Sequence, residues 1–93
     1  MKTVIIQIGN TDDKLPQAGW SNYVDAVRFE IGFFQVEIHF IGFSPADAHW
    51  QNACFVVNSS DEQLDLLKKG VTRIRKAFKQ DSVAWTEGKT EFV

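Results

Sequence analysis

Apolar residues in this chain follow two periodicities that alternate along its length. Thr3-Val4-Ile5-Ile6-Gln7-Ile8 is a short run with apolar residues on both sides of a period-2 pattern, which predicts a buried strand. Trp20, Tyr23, Val24, Val27 and Ile31 then recur with the spacing of one buried helix face. Two more strand-like runs follow, Phe34 to Ile41 and Cys54 to Val57. Leu64, Leu67, Val71, Ile74 and Phe78 make a second helical stripe, and Ser82 to Thr86 reads as a last short strand.

The order β-α-β-β-α-β is the split βαβ, or ferredoxin-like, arrangement. It is an α+β fold with a four-stranded antiparallel sheet, two helices on one face and the other face open. Alternation places Val4, Ile6 and Ile8 on one side of the first strand, and Thr3, Ile5 and Gln7 on the other. In the second strand Phe34, Val36, Ile38 and Phe40 should meet the helices, with Phe33, Gln35, Glu37, His39 and Ile41 facing away. In the third, Ala53, Phe55 and Val57 should face in, and Asn52, Cys54 and Val56 out. The last strand has two readings: Val83 and Trp85 face the core, which is preferred, or Ala84 does and Trp85 lies on the open face.

Punctuation agrees with this order. Gly9-Asn10-Thr11-Asp12-Asp13 is a polar loop, Pro16 suits the first turn of the first helix, and Gly32 reads as its stop. Ser60 with Gln63 makes a capping box for the second helix, inside which Gly70 is a weak point. After a turn at Glu87-Gly88-Lys89, residues Thr90 to Val93 add a short edge or cross to a partner.

Composition narrows the classes. Ninety-three residues fit one domain, 1–93, and 44% hydrophobic content is too high for a disordered chain. A net charge of -2 gives no global field toward nucleic acid or membrane. No stretch approaches the roughly 20 apolar residues of a membrane span. The apolar run near Met1 is too short for a signal peptide, and Gln7 interrupts it. Cys54 is the one cysteine, so no intramolecular disulfide forms, which suits a reducing cytoplasm.

Pairing the middle strands with Ile41 opposite Asn52 sets His39 against Cys54 and Glu37 against Val56, with Gln7 nearby. These side chains, with Asn52, are candidate binding residues on the open face. A cysteine beside a histidine is the arrangement of an activated thiol. A half-buried cysteine is more often a small hydrophobe, so no catalytic residue is assigned and the chain reads as non-enzymatic.

The connection Gly42 to Trp50 is longer than a tight hairpin needs and holds Phe43, Asp47, His49 and Trp50. It reads either as a recognition loop, which makes His49 and Trp50 candidate binding residues, or as a loop whose Phe43 and Trp50 cover a core edge. His39, His49, Asp47 and Cys54 are suitable metal ligands by type, but their spacing matches no metal motif. No metal site and no cofactor are expected.

Lys68, Lys69, Arg73, Arg75, Lys76 and Lys79 place six of the ten basic residues in twelve positions of the second helix. This is a basic patch for nucleic acid or an acidic partner, or a solvated face with Asp61, Glu62 and Asp65 at its opposite end. The second arrangement complements the helix dipole and lets Asp65 pair with Lys69. RNA-recognition domains share the topology but stack bases on aromatics of the open face. Ile5, Gln7, Asn52, Cys54 and Val56 occupy those strands here, so nucleic-acid binding is disfavoured.

Asn10-Thr11-Asp12-Asp13-Lys14 after the first strand loosely resembles the start of the small CRISPR-associated nucleases. That family keeps a metal-binding acid at the strand end, where this chain has Gly9-Asn10. Gln7-Ile8-Gly9-Asn10, Trp50-Gln51-Asn52-Ala53-Cys54 and Ala84-Trp85-Thr86-Glu87-Gly88 resemble segments of small uncharacterised bacterial or phage proteins, to which no function attaches.

The residues support first a non-enzymatic interaction module, homodimeric through the open face. One alternative is a small-molecule binder or enzyme using His39, Glu37 and Cys54. The other is a nucleic-acid or protein binder using the basic helix.

Overall fold

The computed structural model describes residues 1–93. Its elements are β1 (Lys2–Gly9), a 3-10 turn (Thr11–Asp13), α1 (Gln17–Phe33), β2 (Glu37–Phe43), β3 (Asn52–Ser59), α2 (Asp61–Ala77) and β4 (Ala84–Gly88). Strand order is β2-β3-β1-β4, with every neighbouring pair antiparallel. This is the ferredoxin-like α+β fold that the apolar pattern predicts.

β1 and β3 pair along their whole length, from Lys2 opposite Ser59 to Gly9 opposite Asn52. Alternation then sends Val4, Ile6, Ile8, Ala53, Phe55 and Val57 under the helices, and all six are buried. Trp20, Tyr23, Val24, Val27 and Ile31 of α1 meet them with Leu64, Leu67 and Val71 of α2. Each large apolar side chain so buried contributes about 1.5–3 kcal/mol, so this layer contact dominates stability. Val83 and Trp85 pack against the same core from β4 and its approach, as expected. The Lys68 ammonium lies 5.7 Å from the centre of the Trp85 ring.

Local signals set the helix ends. The Ser60 hydroxyl accepts from the Gln63 amide at 3.3 Å and caps α2. Pro16 stands at the N-cap of α1, one residue ahead of its expected place. Gly32 does not stop α1, which runs on to Phe33. The stop is Gln35, at φ 55°. Its amide donates to the Gly32 carbonyl at 3.0 Å and the Val36 amide to that of Ile31 at 3.1 Å. These two bonds are a Schellman closure. α2 ends the same way: Lys79 has φ 57°, and Gln80 donates to the Arg75 carbonyl at 3.0 Å.

Both closures hold a residue with a Cβ in the left-handed region, which costs roughly 1–2 kcal/mol. Gln35→Gly and Lys79→Gly should each raise stability by about 0.5 kcal/mol, because relief of strain outweighs the extra freedom of the unfolded glycine. The urea midpoint should rise with unchanged slope.

Gly70 is a packing requirement rather than a weak point. A Cβ there would overlap the carboxylate of buried Glu30, which accepts from Arg73 Nη2 at 2.7 Å. The glycine lets the two helices approach with this ion pair between them.

β2 departs most from the alternation. It starts at Glu37, since Phe33 and Phe34 belong to the end of α1. Ile38 pairs with Val57 and Phe40 with Val56, which leaves His39 as the extra residue of a β-bulge. Beyond it every side chain changes face. Ile41 lies opposite Phe55 and packs on the core, whereas Phe40 lies on the open face, 59% exposed. Both placements reverse the expectation, which assumed that each residue has a partner. The expected pairing is likewise replaced: Glu37 faces Asn58, Gly42 faces Cys54, and Ile41 does not face Asn52.

Tyr23 is fully buried and stacks on Phe78 with ring centres 5.1 Å apart. Its hydroxyl has no hydrogen-bond partner, and burial pushes its pKa up to about 12, with Arg75 acting weakly the other way. Below pH 10 folded and unfolded chains both hold this proton. Above pH 10 the unfolded chain releases it first, so stability falls as pH rises, by roughly 2 kcal/mol at pH 12. Tyr23→Phe should remove that part of the alkaline loss and leave stability at pH 7 within about 1 kcal/mol. Urea unfolding of both proteins at pH 8 and pH 11 measures the difference.

Candidate functional site

The bulge in edge strand β2 builds an apolar centre on the β2–β3 side of the open face. The Phe40 ring lies over Gly42, where a Cβ would come 2.6 Å from Phe40 Cε2. Phe40 stands opposite Val56, Gly42 opposite Cys54, and Ile5 opposite Val56 from the other side. Ile5, Phe40, Cys54 and Val56 thus form an apolar centre, with Phe40 its exposed member.

Polar candidates divide around that centre. Gln7 lies opposite Cys54, and Asn52 lies opposite Gly9 with its carboxamide folded close over the glycine. His39 and Glu37 lie toward the other end of β2. There His39, Val56 and Asn58 border a depression of about 310 Å³ with the tail residues Thr90 and Phe92. Thr90 reaches the face through a hydroxyl contact with Thr3. Residues Thr90 to Val93 add no strand.

Register separates His39 from Cys54, so the activated-thiol arrangement does not assemble. No three His, Cys, Asp or Glu side chains gather as a metal-ligand group. His49 and Trp50 lie off the face in the β2–β3 loop, rings 5.5 Å apart. Phe40 and Gly42 are the members that sequence reasoning missed. An aromatic two positions before a strand glycine was the available signal, because its ring can cover the bare backbone.

The β2–β3 loop holds its own shape. The Ser44 amide donates to the Asn52 carbonyl and the Asn52 amide to Ser44 Oγ, both at 3.0 Å. Ala48 donates to the Pro45 carbonyl at 3.0 Å. Phe43 is 62% exposed and Trp50 38%, so the loop does not lay its aromatics over a core edge. Instead it stands off α1 and leaves a cleft of about 420 Å³. Gln51 Nε2 donates to Gln17 Oε1 at 2.8 Å across it.

Half of the basic cluster on α2 is engaged within the chain. Arg73 holds Glu30, Arg75 Nη1 donates to the Gln80 and Asp81 carbonyls at 2.9 and 3.2 Å, and Lys68 covers Trp85. The expected Asp65–Lys69 ion pair does not form. Elsewhere Lys2 bridges Asp61 at 3.0 Å and Glu87 at 3.3 Å, and these hydrogen bonds, Asp61 foremost, raise its pKa.

No helix is long and apolar enough to cross a membrane. No family model matches the chain. No curated protein matches it. Among solved structures it is similar to the de novo designed protein Foldit4, with TM-score 0.60, 12% identity, and 97% of this chain and 96% of that chain covered. It is also similar to part of a Burkholderia cenocepacia protein provisionally named an amidohydrolase/peptidase, with TM-score 0.47, 12% identity, and 97% and 27% covered. At such identity the Foldit4 likeness supports the fold and no more.

Proposed function

We propose that this chain is a small non-enzymatic interaction module that pairs with a second copy of itself through the open sheet face. The observation that carries the reading is Phe40, turned out of the core by the bulge and exposed on the edge strand β2 beside Val56 and Cys54, with Ile5 beyond them. Such a cluster on an uncovered face favours burial against a partner. A two-fold related copy supplies a matching apolar centre in an isologous interface.

Size supports the same reading. Four strands about 4.8 Å apart, of 8, 7, 8 and 5 residues at about 3.3 Å each, span a footprint of roughly 440 Å². The corrugated accessible area is larger and approaches the lower end of a standard interface, about 600 Å² per partner. The proposed dimer is a weak one, dissociating on the order of micromolar concentration, because its face is small and Phe40 is its one large exposed anchor. The lone Cys54 fits a reducing compartment such as the cytoplasm, where it would stay a free thiol at the proposed interface. The engaged basic side chains of α2 argue against the nucleic-acid alternative.

Cys54, half-buried and the one cysteine, reports on the face directly. Its rate of reaction with a soluble disulfide reagent, with reagent in excess, should fall as protein concentration rises through the micromolar range. A rate independent of protein concentration would count against the proposed interface.

A further inference from the structure

The cleft between α1 and the β2–β3 loop is distinct from the open face and has two unlike walls. On one side Phe43 points to the helix side of the sheet, opposite Ala53, yet stays 62% exposed because α1 does not cover it. Pro45 extends this apolar wall, and Trp20 and Val24 of α1 line the cleft between it and the polar side of the helix. On the other side α1 presents Ser21, Asp25 and Arg28 along one face. Asp25 and Arg28 are spaced to pair with each other, but neither makes an ion pair. They line the cleft as two opposite, exposed charges, neither of them paired with another side chain of the protein. The Gln17–Gln51 bond ties loop to helix and the loop's internal bonds hold it open, so the space is preformed. Its 420 Å³ lies within the range of small-ligand sites, about 300–1,000 Å³.

We propose that this cleft binds a small zwitterion with an apolar body, of the chemical class of an aromatic α-amino acid. Arg28 takes the carboxylate, Asp25 takes the ammonium, and Phe43 supports the apolar body. A ligand with one charge would leave either Asp25 or Arg28 uncompensated beside it, which selects for the zwitterion. Side chains three apart on a helix have Cβ atoms about 5–6 Å from each other, a spacing that adjacent ammonium and carboxylate groups bridge. A ligand of about twelve heavy atoms in a partly open cleft binds with Kd on the order of 0.1–1 mM.

The test is a titration of the full chain with L-phenylalanine, followed through backbone amide resonances. The expected result is saturable shifts at Ser21, Arg28, Ser44 and Gln51, with 3-phenylpropionate and phenethylamine each binding at least about tenfold more weakly. Asp25→Asn and Arg28→Ala, both at exposed positions, should each weaken L-phenylalanine about tenfold with thermal unfolding unchanged. Saturable shifts elsewhere, equal binding of either single-charge analogue, unchanged affinity in both variants, or no saturable shift would each overturn the proposal.

Discussion

Asn10→Ala should lower stability by about 3 kcal/mol and the melting temperature by roughly 12–20 °C. Asn10 is completely buried at the end of β1, and its side chain acts as a short piece of backbone. Oδ1 accepts from the Leu15 amide and Nδ2 donates to the Leu15 carbonyl, both at 2.8 Å. Nδ2 also reaches Asp13 Oδ1 at 3.3 Å. The main chain continues the lock: the Asn10 amide donates to the Gln51 carbonyl at 2.8 Å, and its carbonyl accepts from Asp13 at 2.9 Å. Truncation removes the side-chain bonds and leaves both Leu15 backbone groups without them, in a loop already strained by Asp12 and Asp13 at φ 56° and 53°.

Asn10→Asp should cost more, about 4 kcal/mol. It replaces the Nδ2 donor with an acceptor facing the Leu15 carbonyl and the Asp13 carboxylate. The order wild type, Ala, Asp in thermal melts separates lost hydrogen bonds from introduced repulsion. A melting temperature within about 3 °C of wild type for both variants would show that the loop is held by something else.

Phe40→Asp has the other large effect, and it falls on association rather than folding. Phe40 is 59% exposed, so in the isolated chain its replacement should change stability by no more than about 0.5 kcal/mol. In the proposed paired state the same position is buried, and an aspartate would be desolvated against apolar neighbours. Loss of a buried aromatic anchor costs about 2 kcal/mol or more, and the charge adds to it, so the dimer constant should weaken by at least about 100-fold. Ile5→Asp and Val56→Asp address the same face, but both residues are half-buried and would disturb folding as well.

The fold was legible because each helix stripe and each central strand obeys one period throughout. Val4, Ile6 and Ile8 or Leu64, Leu67 and Val71 leave little choice of face. The ends were legible where a side chain makes the cap, as at Ser60, and illegible where the backbone does. Nothing in Gln35 or Lys79 announces a left-handed residue, and Gly32, which does, lies one turn too early. The open face was half legible for a related reason. Gln7, Asn52, Cys54 and Val56 stand on it as read, because β1 and β3 are regular. Phe40 and Ile41 exchanged faces because a single unpaired residue, His39, shifts everything after it. That one shift dissolves the His39–Cys54 pair and creates the apolar centre on which the proposed function rests. The cleft lay beyond reach, since the distance between a loop and a helix depends on packing that no local pattern encodes.

The most direct test of self-association through the open face is molar mass in solution. Static light scattering across about 1 to 500 μM spans the expected dissociation constant. The wild-type mass should climb from the 10.6 kDa of the chain toward twice that value, while Phe40→Asp stays at the monomer mass throughout. A wild-type protein that remains a monomer over the whole range, or a dimer that Phe40→Asp leaves intact, would contradict the account.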